Sequence, residues 1–122
     1  MLSSTRLRTS RKAEERLDRV FGALSDSTRR AMLARLTRGP AGVTELAQPF
    51  AISLQAVSKH LKVLERAGLV AREIDGREHR CSLRAGALET AAQWIAHRRV
   101  FWERTLDALE DHLTQRRNAA QR

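Results

Sequence analysis

Apolar residues recur along this chain at spacings of three and four, and only a few positions break the pattern. Leu17, Val20, Phe21 and Leu24 form the first such stretch, which predicts a helix over 13–24. Ser25 or Asp26 interrupts it. Asp26 or Ser27 then caps a second helix, carried by Ala31, Met32, Leu33 and Leu36 and ended by Gly39-Pro40. Thr44 is the expected cap of a short helix over 45–48, with Leu46 and Ala47 inward, and the residues from Pro49 to Ile52 make a turn. Ser53 is the expected cap of a helix over 54–67. Ala56 stands three residues after it, so the capping box is incomplete. Val57, Leu61 and Leu64 form the inward face of that helix, and Gly68 ends it in left-handed geometry.

The pattern then changes period. Strands are expected over 70–74 and 79–83, with Asp75-Gly76 as the turn between them. Beyond them a single helix is expected over 85–115. Leu88, Ala91, Ile95, Trp102, Leu106, Leu109 and Leu113 mark its apolar stripe, and Trp94 and Phe101 widen it. A helix of that length extends about 45 Å, too far to pack entirely on one small helical core. Its surplus apolar face predicts a subunit interface shared with the first helix, where Leu17, Val20, Phe21 and Leu24 lie. The domain is therefore placed at 13–115, between a flexible basic arm over 1–12 and a loose tail over 116–122.

A short helix, a turn and a longer helix with one polar face form a helix-turn-helix, and the hairpin that follows supplies a wing. The expected fold is thus mainly α: a winged helix-turn-helix with a two-stranded β-wing and long terminal helices forming a dimer interface. Such a fold can place the 54–67 helix in a DNA major groove. Its outward residues suit that use. The Gln55 amide matches the N7 and N6 edge of adenine, Lys59 suits guanine, and Ser58 is weakly selective. Ala56 lies on the same surface. Ser53 and Lys62 are better suited to the phosphate backbone, where contacts position the protein without reading sequence, and His60 either touches the backbone or stays solvated. In the wing, Arg77 follows the turn and is the first candidate for phosphate or minor groove, followed by Arg72 and Arg80. The alternative is that these arginines only pair with Glu73, Asp75 and Glu78. Two symmetry-related headpieces predict double-stranded DNA with an inverted-repeat operator as the partner; the alternative is a winged-helix protein-interaction module without specific DNA binding.

Charge strengthens this picture. Among the 122 residues, Lys and Arg number 23 against 14 Asp and Glu, a formal net charge of +9 that favours polyanions. Other chemistries find little support. One cysteine, Cys81, cannot form an intramolecular disulfide or a thiolate metal site by itself. The four histidines are scattered at positions 60, 79, 97 and 112, and no nucleophile–base arrangement is recognisable, so neither catalytic residues nor a cofactor are expected. No apolar run is long enough for a membrane span, and the basic start has no secretory apolar segment. A cytoplasmic protein is the simplest expectation.

The segments FGALSDSTRRAMLARL, VTELAQPFAISLQAVSKHLKVLERAGLV and DGREHRCSL together resemble the ArsR-type (arsenical-resistance-repressor-like) winged-helix transcriptional regulators. Asp26, Arg29 and Arg30 match the family's usual start of the second helix, with Asp26 in a capping or local pairing role. The resemblance implies a homodimer built on the first and last helices. It also implies operator binding that blocks transcription, often at the regulator's own promoter. It maps the DNA-reading helix onto Ser53 through Lys62 and the wing onto Arg77 and its neighbours. It names no inducer. The chain departs from the family's metal sensors, since the 44–48 helix lacks paired thiolates and His97 and His112 lack well-spaced acidic partners. No metal site is expected, which points to the non-metal-sensing branch. Cys81 stands where the family usually has an aromatic residue, and is expected to be small and half-buried.

Overall fold

The computed structural model of the chain describes the backbone of residues 2–121 and the side chains of residues 10–121. Its elements in order are α1 (Leu2–Leu24), α2 (Ser27–Leu36), β1 (Ala41–Gly42), α3 (Val43–Ala47), α4 (Leu54–Arg66), β2 (Val70–Asp75), β3 (Glu78–Leu83) and α5 (Ala85–Ala120). Residues up to Ala91 form one compact unit and those from Ala92 onward a second.

The two terminal helices are longer than the apolar pattern predicts. Neither the stretch before position 13 nor the one after 115 contains Gly or Pro, so nothing stops either helix. Helix α5 continues to Ala120 through most of the expected tail, and α1 begins at Leu2. The side chains of residues 1–9, most of the expected arm, and Arg122 of the tail lie outside the described residues.

The core of the first unit is assembled from one side of each short helix. Met32, Leu46, Val57, Leu61, Leu64, Leu69 and Cys81 are all but inaccessible to solvent. Burying each of these leucines stabilises the fold by about 1.5–3 kcal/mol. Val20 and Ala91, expected at a subunit interface, are instead buried in this same core. Their side chains are already used within the chain and leave almost no surface for a partner. Phe21, Leu24 and Leu88 pack against the core and are partly buried.

Local chemistry explains where the elements stop. The Asp26 side chain accepts a hydrogen bond from the Arg29 backbone N–H at 3.1 Å, capping α2. Arg29 and Arg30 then reach back to the end of α1. Arg29 Nε donates to the Ala23 carbonyl at 2.7 Å, its Nη2 to the Gly22 carbonyl at 3.0 Å, and Arg30 Nη1 to the Leu24 carbonyl at 2.6 Å. Carbonyls of the last turn are thereby bonded by cations, which the helix dipole also favours there, and Gly22 accepts from Ser25 as well. Helix α3 differs from expectation. It starts at Val43 with Gly42 as N-cap and no side-chain cap bond, so Thr44 lies within the first turn.

Helix α4 ends as its glycine predicts. The Gly68 N–H donates to the Glu65 carbonyl and the Leu69 N–H to the Leu64 carbonyl, both at 3.0 Å, a Schellman motif. Gly68 has φ +75°, a conformation that costs glycine least. The chain reverses there and enters β2.

The sheet has three strands in the order β1-β3-β2, one more than expected. Strand β1 pairs antiparallel with β3 through Ala41↔Cys81 and Gly42↔Arg80. Two residues are too few to show an alternating pattern, so this strand has no sequence signal of its own. The β2–β3 hairpin runs in register from Val70↔Leu83 to Asp75↔Glu78. Its loop is Gly76-Arg77, with Gly76 at φ +63° and no positive φ at Arg77, the pattern of a type II′ turn.

Candidate nucleic-acid interface

Helix α4 separates its two faces sharply. Val57, Leu61 and Leu64 fix its inner side in the core, while Gln55, Lys59 and Lys62 are exposed to solvent. Positions 55, 59 and 62 are spaced by four and three and so lie along one face. Ser58 flanks that face on one side, half-buried. Ala56 and His60 flank it on the other, also half-buried. The Ser53 hydroxyl oxygen accepts the Ala56 backbone N–H at 3.1 Å, capping the helix as expected. Its own O–H stays available to donate to an acceptor near the first turn.

The Ser58 flank opens onto a cavity of about 430 Å³ between the start of α3 and the wing. Thr44, Ser58, Arg77, His79 and Arg80 contribute donors to its lining, alongside Glu45 and Glu78. Arg77 and Arg80 form no ion pair among the described residues, so the expected alternative of pairing with the wing's own acids is not what the hairpin does.

Arg72 is placed differently from the other two wing arginines. It turns toward α4 and meets Glu65 at 2.6 Å, with the two side chains 18% and 34% exposed. The contact is close, yet these atoms make no well-aligned hydrogen bond, so charge attraction is its main content. This arginine ties the base of the wing to the helix and is largely withdrawn from solvent. Nothing in the local pattern marks Glu65 as its partner. The signal lies in Gly68, whose chain reversal brings β2 back along α4.

Cys81 lies opposite Arg72 in the β2–β3 register and is fully buried rather than half-buried. Burial raises its thiol pKa above the ordinary value, the Arg72 charge pulls it down, and Glu65 adds to the rise. A protonated, enclosed thiol is a poor nucleophile and a poor metal ligand. At the other flank of α4, Arg29 Nη1 lies 3.2 Å from His60 Nδ1. Asp26, whose carboxyl pKa is held below the ordinary value chiefly by the Arg29 backbone N–H, adds its charge beside them.

The second unit is the part of α5 from Ala92 onward. It exposes Trp94, Ile95, Phe101, Trp102, Leu106, Leu109 and Leu113, together with Val100, which the spacing alone did not single out. Phe101 and Trp102 meet edge to face at 6.0 Å, and the Arg98 guanidinium lies 5.0 Å from the Trp94 ring. Among the described residues no helix is long and apolar enough to cross a membrane.

A family model described as a helix-turn-helix domain matches residues 24–73, from the end of α1 into β2. The HTH-type transcriptional regulator Rv2034 of Mycobacterium tuberculosis is 55% identical over 53 residues, 43% of this chain and 50% of that protein. The match thus spans half the length of that relative. The transcriptional repressor SdpR of Bacillus subtilis is 32% identical over 79 residues, 65% of this chain and 88% of SdpR. The crystal structure of the ArsR family transcriptional regulator RHA00566 superposes with a TM-score of 0.71 at 40% identity, covering 74% of this chain and 93% of that one.

The chain belongs to the ArsR family. As an ArsR-family protein it is a DNA-binding transcriptional regulator, in a family without catalytic activity. Among the described residues no three His, Cys, Asp or Glu side chains are grouped to hold a metal ion. In chain order, the winged headpiece is followed by a long helix with an exposed apolar stripe.

Proposed function

We propose that this ArsR-family chain is a homodimeric, sequence-specific repressor that binds an inverted-repeat operator in double-stranded DNA, its own promoter among the targets. The observation that carries this reading is the outer face of α4. Gln55, Lys59 and Lys62 are exposed on a helix whose other side is locked into the core. A rigid support is what a base reader needs, because a misplaced amide loses its bidentate geometry. Gln55, Ala56, Ser58 and Lys59 face the groove in this reading, while Ser53, His60 and Lys62 hold the backbone. Arg77 and Arg80 extend the grip from the wing, and Arg72 supports them from its place on Glu65.

Repression is supported by the likeness to SdpR, which is itself named a transcriptional repressor. Dimerisation is supported by the exposed stripe on α5, since so many exposed aromatic and aliphatic side chains on one helix mark an association surface. Two reading helices related by a two-fold axis would enter successive major grooves about 34 Å apart. The test is selection of bound fragments from the source genome with purified protein, followed by footprinting. Protection of a two-fold symmetric site, weakening steeply with salt, supports the reading. Uniform, weak binding to every fragment would overturn it.

A further inference from the structure

The half-buried His60 lies on the flank of α4 nearest α2, and its ring is held from behind. Arg29 Nη1 sits 3.2 Å from Nδ1, across a sequence separation of 31 residues. A guanidinium only donates and stays charged at all ordinary pH, so Nδ1 must be the unprotonated acceptor. The ring proton then resides on Nε2, for which the described residues offer no partner. Arg29 is itself immobilised, because Nε and Nη2 are bound to the carbonyls of Ala23 and Gly22. One guanidinium thus closes the end of α1 and orients a side chain of α4.

We infer that Arg29 is a positioning residue for DNA recognition: it fixes His60 as the neutral Nε2–H tautomer and commits that N–H to one phosphate oxygen beside α4. This rests on the DNA-binding reading of α4 proposed above. Phosphate is favoured over a base edge because His60 lies at the margin of the exposed face, away from the line of Gln55, Lys59 and Lys62. The role of His60 is then to set how α4 lies in the groove, and Arg29 acts through it without touching DNA.

Two measurements test this. Long-range ¹H–¹⁵N correlation on histidine-labelled free protein, at about pH 8.5 where ordinary imidazoles are neutral, reads the tautomer directly, with His60→Gln providing the assignment. A single Nε2–H form with a hydrogen-bonded Nδ1, relaxing in Arg29→Lys, is expected; an Nδ1–H form would overturn the inference. The second is a double-mutant cycle on operator affinity. Arg29→Lys should weaken binding roughly tenfold in the natural background, and by less than about twofold once His60 is Ala. Ethylation interference at one phosphate per half-site should disappear in His60→Ala. Equal losses from Arg29→Lys in both backgrounds would show that Arg29 acts elsewhere and would sink the proposal. Melting curves of Arg29→Lys separate any loss of the α1 contacts from the binding effect. The tautomer arm needs no DNA, so failure of this link and failure of sequence-selective binding are read separately.

Discussion

Individual side chains on α4 differ in what they can tell one DNA from another. In the proposed reading Gln55 makes a paired contact with a base edge, so Gln55→Ala should cost about 1–3 kcal/mol of discrimination at one or two operator positions. Binding competitions with single-base operator variants measure this. A loss of equal size at every sequence would contradict the assignment. In the same reading Lys62 brings only charge to the DNA backbone. Lys62→Ala should weaken all sequences alike and reduce the slope of log affinity against log salt by about 1. Cys81 makes the opposite kind of statement. Its buried thiol, with a raised pKa, should react with alkylating reagents on the order of a hundredfold more slowly in the folded protein than after unfolding. Comparable rates in the two states would mean that the sheet opens readily around it. The sequence identified these residues with unequal success. The burial of Val57, Leu61 and Leu64 and the cap at Ser53 are written in local spacing. The partners of Arg72 and His60 are not, because both contacts form between elements and depend on how those elements pack.

Turns and short elements decide how the reading helix and the wing are held together. Gly68 reverses the chain, and Glu65 and Arg72 then clip β2 to α4. Glu65→Gln leaves the Arg72 charge mostly enclosed without its counter-charge. It should lower stability by about 1–3 kcal/mol and speed amide exchange in the wing more than in α4. Urea titration and hydrogen exchange check this, and unchanged protection in β2 and β3 would remove the clip from the account. Helices α2 and α4 and the hairpin were legible because each combines an apolar period with a cap or turn residue at its boundary. Strand β1 was not, since two residues carry no period and their partners lie on β3, far along the chain. The ends of α1 and α5 carry no such signal for a related reason. Polar, charged residues without Gly or Pro support a helix as readily as a coil, and composition alone does not separate the two.

For the molecule as a whole, in the proposed reading, the excess of positive charge serves attraction to DNA and the stripe on α5 serves assembly. Placing two carboxylates on that stripe, with Trp102→Glu and Leu106→Glu together, should yield a monomer at micromolar concentration by light scattering. Operator affinity should fall by more than tenfold, while binding to an isolated half-site changes little. Persistence of the dimer would move the interface elsewhere. The same stripe has a spectroscopic consequence. The chain contains two Trp and no Tyr, and Trp94 and Trp102 both lie on α5 beyond Ala91. Intrinsic tryptophan fluorescence therefore arises from α5 alone. Its emission should shift to the red on dilution, as the indoles lose their cover, while circular dichroism stays constant. A melt followed by emission and one followed by ellipticity will then disagree, and the gap between them will measure association, not a folding intermediate.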